Sequence, residues 1–364
     1  MTLRRLGALL VLLLLMAGCA APPAGPAILY LAPDPGGALR IYRLDPGAAA
    51  ARQLTGVDDP AAPGVIDYAP APGGERIAYA VDGGAGGSAL RLVGADGRGD
   101  ALLLDCPAAE CAAPVWSPDG RRLLYERRPR QPDGTLGSPR LHWLDPATGE
   151  TVPLVAGNET PSHGARFSPD GVWLSYVSPA DEGIVLYRLA DGEQRLLPTR
   201  AGGPAAWSPD GAAVVYGDVV TQAHDTAPGD GPAQELASTW LYRTDLAEPG
   251  SRRRLSPEAA VEDGAAAFSP DGAWIAFLRG AAGTGAGRQL WLMRADGGEA
   301  RAPAADPTAA YGPPGWSPDG RFLLYQRHDP ATGRTGVWVM EVETGEAELL
   351  HEEAFLPVWL TTGD

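Results

Sequence analysis

The sequence contains no lysine, and its 29 basic residues, all arginine, are outnumbered by 45 acidic residues, which gives a formal net charge of −16. Phosphate contacts require a basic face, so this charge predicts no nucleic-acid binding. The chain also lacks Gly-x-Ser-x-Gly, His-Glu-x-x-His and Walker-type motifs, and no catalytic residue is predicted from motifs. Beyond the N-terminal segment, no apolar run is long enough to cross a bilayer.

The N-terminus has the pattern of a secretory signal, because Arg4 and Arg5 precede a short apolar segment, residues 6–16. Residues 16–19 read Met-Ala-Gly-Cys and resemble the cleavage site of a bacterial lipoprotein. This resemblance implies a signal peptide at 1–18, lipidation of Cys19 and a tether at 19–27. The protein would then be extracytoplasmic and lipid-anchored to the cell membrane or the outer membrane. The alternative is ordinary secretion, with Cys19 removed or unmodified.

Cysteine is scarce, and two cysteines remain once Cys19 is assigned to the anchor. Cys106 and Cys111 form an even pair, which in an oxidising compartment favours a disulfide. A metal site would need further Cys or His ligands close by, and none is adjacent in sequence.

One motif dominates the chain: an aromatic residue followed by Ser-Pro-Asp-Gly, and then an apolar run. Ser-Pro-Asp-Gly is typical of a type I turn, in which Pro fixes φ at the second position and Gly occupies the fourth. The motif recurs at intervals of about 40–60 residues, which indicates a repeat architecture. Its copies are Trp116–Gly120, Phe167–Gly171, Trp207–Gly211, Phe268–Gly272 and Trp316–Gly320.

The segments between these turns contain further short stretches with strand-like alternation, so each repeat has about four strands, as in a β-propeller blade. Weaker copies of the aromatic strand begin at Tyr68 and at Trp359. We therefore predict an all-β protein with one propeller domain at 28–361. It would have seven four-stranded blades, closed by the C-terminal strand pairing with the N-terminal blade. Six blades with an irregular start is the alternative.

The repeats resemble the TolB-like propeller repeat, which is marked by the same aromatic-Ser-Pro-Asp-Gly turn and a following strand that ends in Tyr or Phe. The resemblance covers nearly all of residues 28–361 and implies a fold rather than a function. TolB itself carries an α/β domain before its propeller, whereas here the repeats begin just after Cys19, so the chain is not expected to be TolB. Some serine peptidases place a hydrolase domain after such a propeller, and the sequence shows none before Asp364.

The repeated turn aspartates and aromatic residues are most simply structural. An Asp between Pro and Gly caps its own backbone, and large aromatic residues fill the wedge between blades. The five histidines are scattered over different repeats, which does not indicate a metal site.

The loops are more informative, because the loops between second and third strands share one face of a propeller with the connections between blades. The longest irregular segment on that face is expected between Gly217 and Thr239, and long loops are often functional. We predict that this face binds a basic partner or Ca²⁺, although acids are common enough in the chain for chance to place them there. The candidate residues are Asp58, Asp59, Glu110, Glu159, His224, Asp225, Glu262, Asp263, Asp306, Glu352 and Glu353.

The leading functional hypothesis is a monomeric, membrane-anchored scaffold at the bacterial cell envelope that binds a protein or ligand without catalysis and without a cofactor. The alternative is a propeller enzyme, a lyase or a glycoside-acting enzyme, with its site at the central mouth. Converging carboxylates or histidines within about 6 Å at that mouth would favour the enzyme.

Overall fold

A computed structural model describes residues 25–361, apart from 85–86, 156, 158–159, 225–233, 249, 258, 304–305 and 307. The predicted signal peptide and lipidation site, Cys19, lie outside the described residues, and so do Glu159 and Asp225. The described residues form β-strands, turns and one short 3₁₀ helix, Pro179–Asp181. None of their helices is long and apolar enough to span a membrane. The all-β prediction is confirmed.

The first half of the chain forms these strands: β1 (Ala27–Pro33), β2 (Leu39–Leu44), β3 (Arg52–Gln53), β4 (Val65–Pro70), β5 (Arg76–Asp82), β6 (Ser88–Gly94), β7 (Ala101–Cys106), β8 (Ala109–Trp116), β9 (Leu123–Pro129), β10 (Arg140–Leu144), β11 (Thr151–Pro153), β12 (His163–Phe167), β13 (Trp173–Ser178), β14 (Gly183–Arg188) and β15 (Gln194–Pro198). The second half forms β16 (Ala206–Trp207), β17 (Ala213–His224), β18 (Gln234–Asp245), β19 (Arg253–Arg254), β20 (Val261–Phe268), β21 (Trp274–Ala281), β22 (Gln289–Arg294), β23 (Ala310–Tyr311), β24 (Gly315–Trp316), β25 (Phe322–Asp329), β26 (Arg334–Glu341), β27 (Ala347–Glu352) and β28 (Phe355–Leu360).

Hydrogen bonds group these strands into antiparallel sheets that follow one another along the chain. Four sheets have four strands each, in the orders β28-β1-β2-β3, β4-β5-β6-β7, β8-β9-β10-β11 and β12-β13-β14-β15. Strands β23–β27 form the last sheet, while β16–β22 form one larger sheet in which two antiparallel groups meet at a single parallel pair, Thr239 and Glu262. Because this pair merges two groups, the count of seven blades stays a prediction.

The two ends of the described chain complete one sheet together. Strand β28 pairs antiparallel with β1, with Leu360 opposite Ala27 and Trp359 opposite Ile28. The C-terminal strand therefore covers the edge that β1 would otherwise expose. The predicted closure of the propeller is confirmed.

One strand of each antiparallel group lies on the inside of the ring. Strands β4, β8, β12, β16, β20, β24 and β28 contact one another in succession, although they belong to different groups. Tyr68 of β4 completes the circle, because its hydroxyl donates a hydrogen bond to the Leu356 carbonyl of β28 at 2.5 Å. We call these the inner strands, and the space they surround is the central channel.

The hydrophobic core is divided among the interfaces between neighbouring sheets. One cluster packs Leu29 and Leu31 of the first sheet against Ile77 and Tyr79 of the next. Another packs Ile28 and Tyr30 against Leu324 and Val337 of the last sheet, so the ring is closed by apolar contacts as well as by hydrogen bonds. This arrangement of radial sheets is a β-propeller.

The repeated turns have the structure predicted for them. In the first copy, the Gly120 N–H donates to the Ser117 carbonyl at 2.8 Å, and Gly120 has a φ of +66°. The Ser117 hydroxyl donates to Asp119 at 2.6 Å, a hydrogen bond that lowers the pKa of that carboxyl, and accepts from the Arg122 N–H at 3.0 Å. The turn aspartates are thus engaged within their own turns, as expected.

Two local predictions were wrong. Most of the segment between Gly217 and Thr239 is regular and not a loop. In it, β17 and β18 continue as a paired hairpin as far as His224 and Gln234. The pattern of four strands per repeat also predicts a strand at Glu299–Ala302, after β22, but the structure has only one bridge there, between Leu292 and Arg301. Glu299 has a φ of +52°, a left-handed conformation that does not fit a strand.

Cys106 and Cys111 are joined by a disulfide with an S–S distance of 2.03 Å. Cys106 ends β7 and Cys111 lies in β8, so the bond links the outermost strand of one sheet to the inner strand of the next.

Candidate functional site

The central channel is lined by strands that are bulged. In β12, the step from His163 to Arg166 lies opposite the shorter step from Val177 to Ser175 of β13, so β12 carries one extra residue. Strands β4, β8, β20 and β28 show the same shift against their neighbours. A bulge leaves backbone groups unpaired and redirects side chains, and bulges are common beside functional sites.

The bulges repeat a backbone conformation that is costly for most residues. Ala113, Ala265 and Leu356 have φ values of 50°, 49° and 48°, and Gly164 occupies the matching place in β12 with a φ of 65°. A left-handed conformation costs a residue with a side chain about 1 kcal/mol or more. Its recurrence around the channel shows that the inner strands are held in this shape by the rest of the fold.

The aromatic residues of the motif do more than fill wedges, because their polar tips link neighbouring sheets. The Trp207 indole N–H donates to the Arg166 carbonyl at 3.2 Å and to the Ser175 hydroxyl at 3.0 Å. Trp116, Trp316 and Trp359 make the same kind of bond to Ala69, Ala267 and Gly315, at 3.1, 3.0 and 3.1 Å. Each accepting carbonyl belongs to the inner strand of the preceding sheet, so these bonds tie the wall of the channel together.

A cavity of about 620 Å³ occupies one side of the channel. Its walls come from β12, β16 and β20, from parts of β17 and β18, and from the residues just before β16 and β24. They include Arg166, Trp207, Gly203, Ala265, Phe268 and Pro314. This volume is in the range of small-molecule and peptide sites, and mixed walls of backbone, apolar groups and a few charges are typical of such sites.

Three charged side chains from different sheets interact in the channel: Asp67 of β4, Glu126 of β9 and Arg166 of β12. Burial raises the pKa of Asp67, and Glu126 raises it further, whereas the Arg166 guanidinium lowers it. Burial lowers the pKa of Arg166, and both carboxylates act in the opposite direction. Water reaches the Arg166 side chain from the channel, but the surrounding protein displaces enough of it to disfavour the charge.

Arginine is paired with four of the eight acids of the predicted face that the structure describes. Asp263 is buried, and its carboxylate accepts from Arg279 at 2.6 Å and from the Ser256 hydroxyl at 2.5 Å. Asp263 is therefore no part of an open acidic face, contrary to the prediction. Three further acids of that set are engaged by arginines, in the pairs Glu262–Arg288, Asp306–Arg327 and Glu352–Arg334.

The other residues of the predicted face do not converge. Asp58 and Asp59 are exposed and line a separate cavity of about 330 Å³ between the first and second sheets. Glu110 is half-buried in β8, and Glu353 is exposed beside β28. His224 ends β17, and its side chain is outside the described part of the structure.

Among the described residues, no group of three or more His, Cys, Asp or Glu side chains is placed to hold a metal ion. His142 and His328 make separate contacts, with the Arg140 carbonyl at 3.2 Å and the Thr335 hydroxyl at 3.0 Å.

Sequence reasoning did not single out Asp67, Glu126 and Arg166, although a signal for two of them was present. Alternation in a strand places the residue before each motif aromatic on the opposite side from the aromatic ring. The preceding residue therefore lies on the other face of its inner strand. Only Asp67 and Arg166 are charged in that set, which comprises Asp67, Val115, Arg166, Ala206, Ala267, Gly315 and Val358.

The chain is similar to proteins of several kinds, although no protein-family model matches it. Atu1656, an uncharacterised protein of Agrobacterium fabrum, is 28% identical over 261 residues, which are 66% of this chain and 75% of that protein. The uncharacterised peptidase YuxL of Bacillus subtilis is 25% identical over 236 residues, 62% of this chain but 31% of YuxL.

Among solved structures, TolB from Acinetobacter baumannii superposes with a TM-score of 0.54 and 16% identity, over 94% of this chain and 68% of TolB. The fold is the TolB-like β-propeller. An oligogalacturonate lyase from Vibrio parahaemolyticus has a TM-score of 0.52 and 16% identity, over 80% of this chain and 74% of the lyase. The TolB-like fold therefore occurs in proteins with different activities, and function has to be argued from the site.

Proposed function

We propose that this TolB-like propeller is an extracytoplasmic, lipid-anchored binding protein that takes a protein segment or another ligand into its central cavity without catalysis. The cavity of about 620 Å³ between the inner strands is the observation that supports it. Its walls offer bulged backbone, aromatic surface and few charges, which suits recognition of an extended segment. The anchor rests on the sequence around Cys19.

The occupant of the cavity can be trapped by a photo-reactive amino acid placed in its wall. Gly203 suits this purpose, because it lines the cavity, has no unusual φ, and a side chain there would meet nothing within 4 Å. Gly73 is the matched control, because it also has no unusual φ and has room for a side chain. It follows the inner strand β4, whereas Gly203 precedes the inner strand β16. On intact cells we expect p-benzoylphenylalanine at Gly203 to give a discrete crosslinked partner that the Gly73 variant does not give. Identical products from both positions would contradict the proposal.

The anchor is tested separately with Cys19→Ser. We expect the unmodified chain to incorporate radiolabelled palmitate and to sediment with membranes, and the variant to lose both properties. Equal membrane association of the two would show that Cys19 is not the attachment point.

Adding Ca²⁺ to the purified protein and following its thermal unfolding tests the calcium prediction, with a rise in Tm as the expected sign of binding.

One observation favours the enzymatic alternative, a lyase or glycoside-acting enzyme. Asp67 and Glu126 interact in the channel, and a carboxylate pair with one raised pKa can serve as acid and base. In this case acidic polysaccharides incubated with the protein would release unsaturated or reducing ends, and Asp67→Asn and Glu126→Gln would each abolish the release. If neither acidic nor neutral polysaccharides give any product, the enzymatic alternative is contradicted and the binding role is retained.

A further inference from the structure

The charges that meet in the channel do not balance. Asp67 and Glu126 supply two negative charges, and Arg166 supplies one positive charge, so the three ionised groups together carry one surplus negative charge. Other charges at the cavity wall are already paired, since Asp263 is bound by Arg279 and Arg288 by Glu262. The other charges of the cavity wall therefore do not offset this surplus.

Within the described structure, none of the three groups is in a direct ion pair. Asp67 accepts one hydrogen bond, from the Tyr68 N–H at 2.7 Å. Glu126 accepts one, from the Gly164 N–H at 2.8 Å, and this bond holds the bulge of β12. Arg166 donates one, to the Ala165 carbonyl at 2.8 Å. A carboxylate or guanidinium can make several more bonds, so each group keeps unused capacity in a partly dehydrated place.

Incomplete compensation is costly there, and the sign of the surplus selects the occupant. Asp67 and Glu126 are half-buried, and such a charge without a close partner loses part of its hydration with nothing to replace it. An anion entering the channel would meet a net negative site, whereas a cation would remove the surplus. A bare metal ion is not favoured, because the described residues do not gather three or more donor side chains. An organic cation needs fewer ligands, and the neighbouring cavity has room for the rest of the molecule that carries it.

We propose that the channel contains a site for an organic cation, the ammonium or guanidinium group of a basic segment of a partner protein, which contacts Asp67 and Glu126. Arg166 compensates one of the two negative charges, so a single cation suffices to neutralise the site. This inference rests on the proposed binding function of the cavity and adds the chemical class of its ligand. It places the basic partner in the channel instead of on the predicted acidic face.

The site would respond to pH. Arg166 of β12 and Glu126 of β9 are the charged groups that act on Asp67, and burial together with Glu126 raises its pKa. Because a cation binds the ionised carboxylate, affinity is expected to fall as the pH is lowered through the raised pKa of Asp67.

The Trp207 indole N–H, which is bonded to the Arg166 carbonyl, provides a local readout by ¹⁵N–¹H NMR, with Trp207→Phe assigning its cross-peak. The intact chain is titrated at pH 7.5 with capped tri-arginine, tri-alanine and tri-glutamate. We expect tri-arginine to move this cross-peak, Asp67→Asn to weaken that binding at least tenfold, and Glu126→Gln to weaken it as well. Asp58→Asn, which removes an exposed acid of the predicted acidic face, should leave the affinity unchanged.

The two proposals fail in different ways. No shift with tri-arginine, or equal affinities for the unmodified chain and Asp67→Asn, overturns the cation site. If crosslinks at Gly203 are still found, the binding role of the cavity survives that result. Tighter binding of tri-glutamate than of tri-arginine would also overturn the cation site, because it reverses the expected sign.

Discussion

A single aspartate can be a binding group or a structural group, and its neighbours decide which. Asp58 and Asp263 are the same residue type, and both were predicted to lie on the acidic face. In the structure Asp58 is exposed, whereas Asp263 is fully buried between Arg279 and Ser256. With no lysine in the chain, every such pairing uses arginine, whose planar guanidinium binds a carboxylate through two parallel bonds.

This difference predicts unequal effects of the same substitution. Asp263→Asn leaves Arg279 nearly buried without its partner, and we expect the free energy of unfolding to fall by about 3 kcal/mol. Asp58→Asn should change it by less than about 0.5 kcal/mol. Urea unfolding of both variants with unchanged m values would measure this, and similar losses in the two would contradict the assignment.

The burial of Asp67 predicts a pH dependence of stability. Burial raises its pKa in the folded state above the ordinary value of an aspartate, so between the unfolded and folded pKa values the folded chain binds a proton that the unfolded chain has lost. Stability from this group is therefore present at low pH and is lost as the pH rises through the raised pKa.

Asp67→Asn removes that dependence. We expect the variant to gain stability relative to the unmodified chain at pH 7.5, and to gain none at acidic pH, where Asp67 is protonated in both states. Denaturant unfolding at a series of pH values from 3 to 8 would show the difference curve. A constant offset over this range would mean that ionisation of Asp67 does not contribute.

At the scale of elements, the repeated Ser-Pro-Asp-Gly turn is the feature from which the fold could be predicted. The degenerate copy after Tyr68 shows why: Ala71 and Gly74 form the same backbone bond, at 2.8 Å, as Ser117 and Gly120. The positions of Pro and Gly were enough for the backbone, and the Ser and Asp side chains add to a turn that already forms.

Restoring the consensus in that copy should therefore stabilise the protein. In Ala71→Ser combined with Gly73→Asp, the new hydroxyl and carboxylate would reproduce the bonds of Ser117 and Asp119, and we expect a gain of about 1 kcal/mol. Gly73 has room for a side chain and no left-handed φ, so the change should cause no strain. Each single substitution is the control, because neither alone forms the Ser–Asp bond. A double variant no more stable than the singles would contradict this account.

The sequence was less informative where neighbouring strands set the geometry. The Gly- and Pro-rich segment at 225–233 suggested a loop from Gly217 to Thr239, yet Val219, Val220 and Thr221 favour strand and are paired with β18. The bulges leave no composition signal, because Ala113 and Ala265 adopt a left-handed φ that their residue type disfavours. Asp67 and Arg166 could have been found from alternation, but their meeting with Glu126 depends on how three separate sheets are arranged.

At the scale of the whole molecule, the ring depends on contacts between residues far apart in sequence. Trp359 belongs to the core cluster of the closing interface, and its indole N–H donates to the Gly315 carbonyl. Trp116 has the same role and similar burial between two sheets that the chain itself connects.

These two residues separate packing from closure. Trp359→Ala and Trp116→Ala should each lower the free energy of unfolding by about 3–5 kcal/mol, because each leaves a large cavity. We expect only Trp359→Ala also to lower the m value, since an opened ring lets the first sheet unfold before the rest. Equal m values for the two variants would show that the ring unfolds as one unit even when its closure is weakened.

The position of β1 between β28 and β2 has a mechanical consequence. A pull on the residues before Ala27 acts along the strand, and the load is shared by hydrogen-bond ladders on both of its sides. Such a strand has to slide past two neighbours at once, whereas an edge strand can be peeled away one bond at a time. A propeller held by its N-terminal segment would therefore bear tension, from a bound partner or from the envelope, without losing its first sheet.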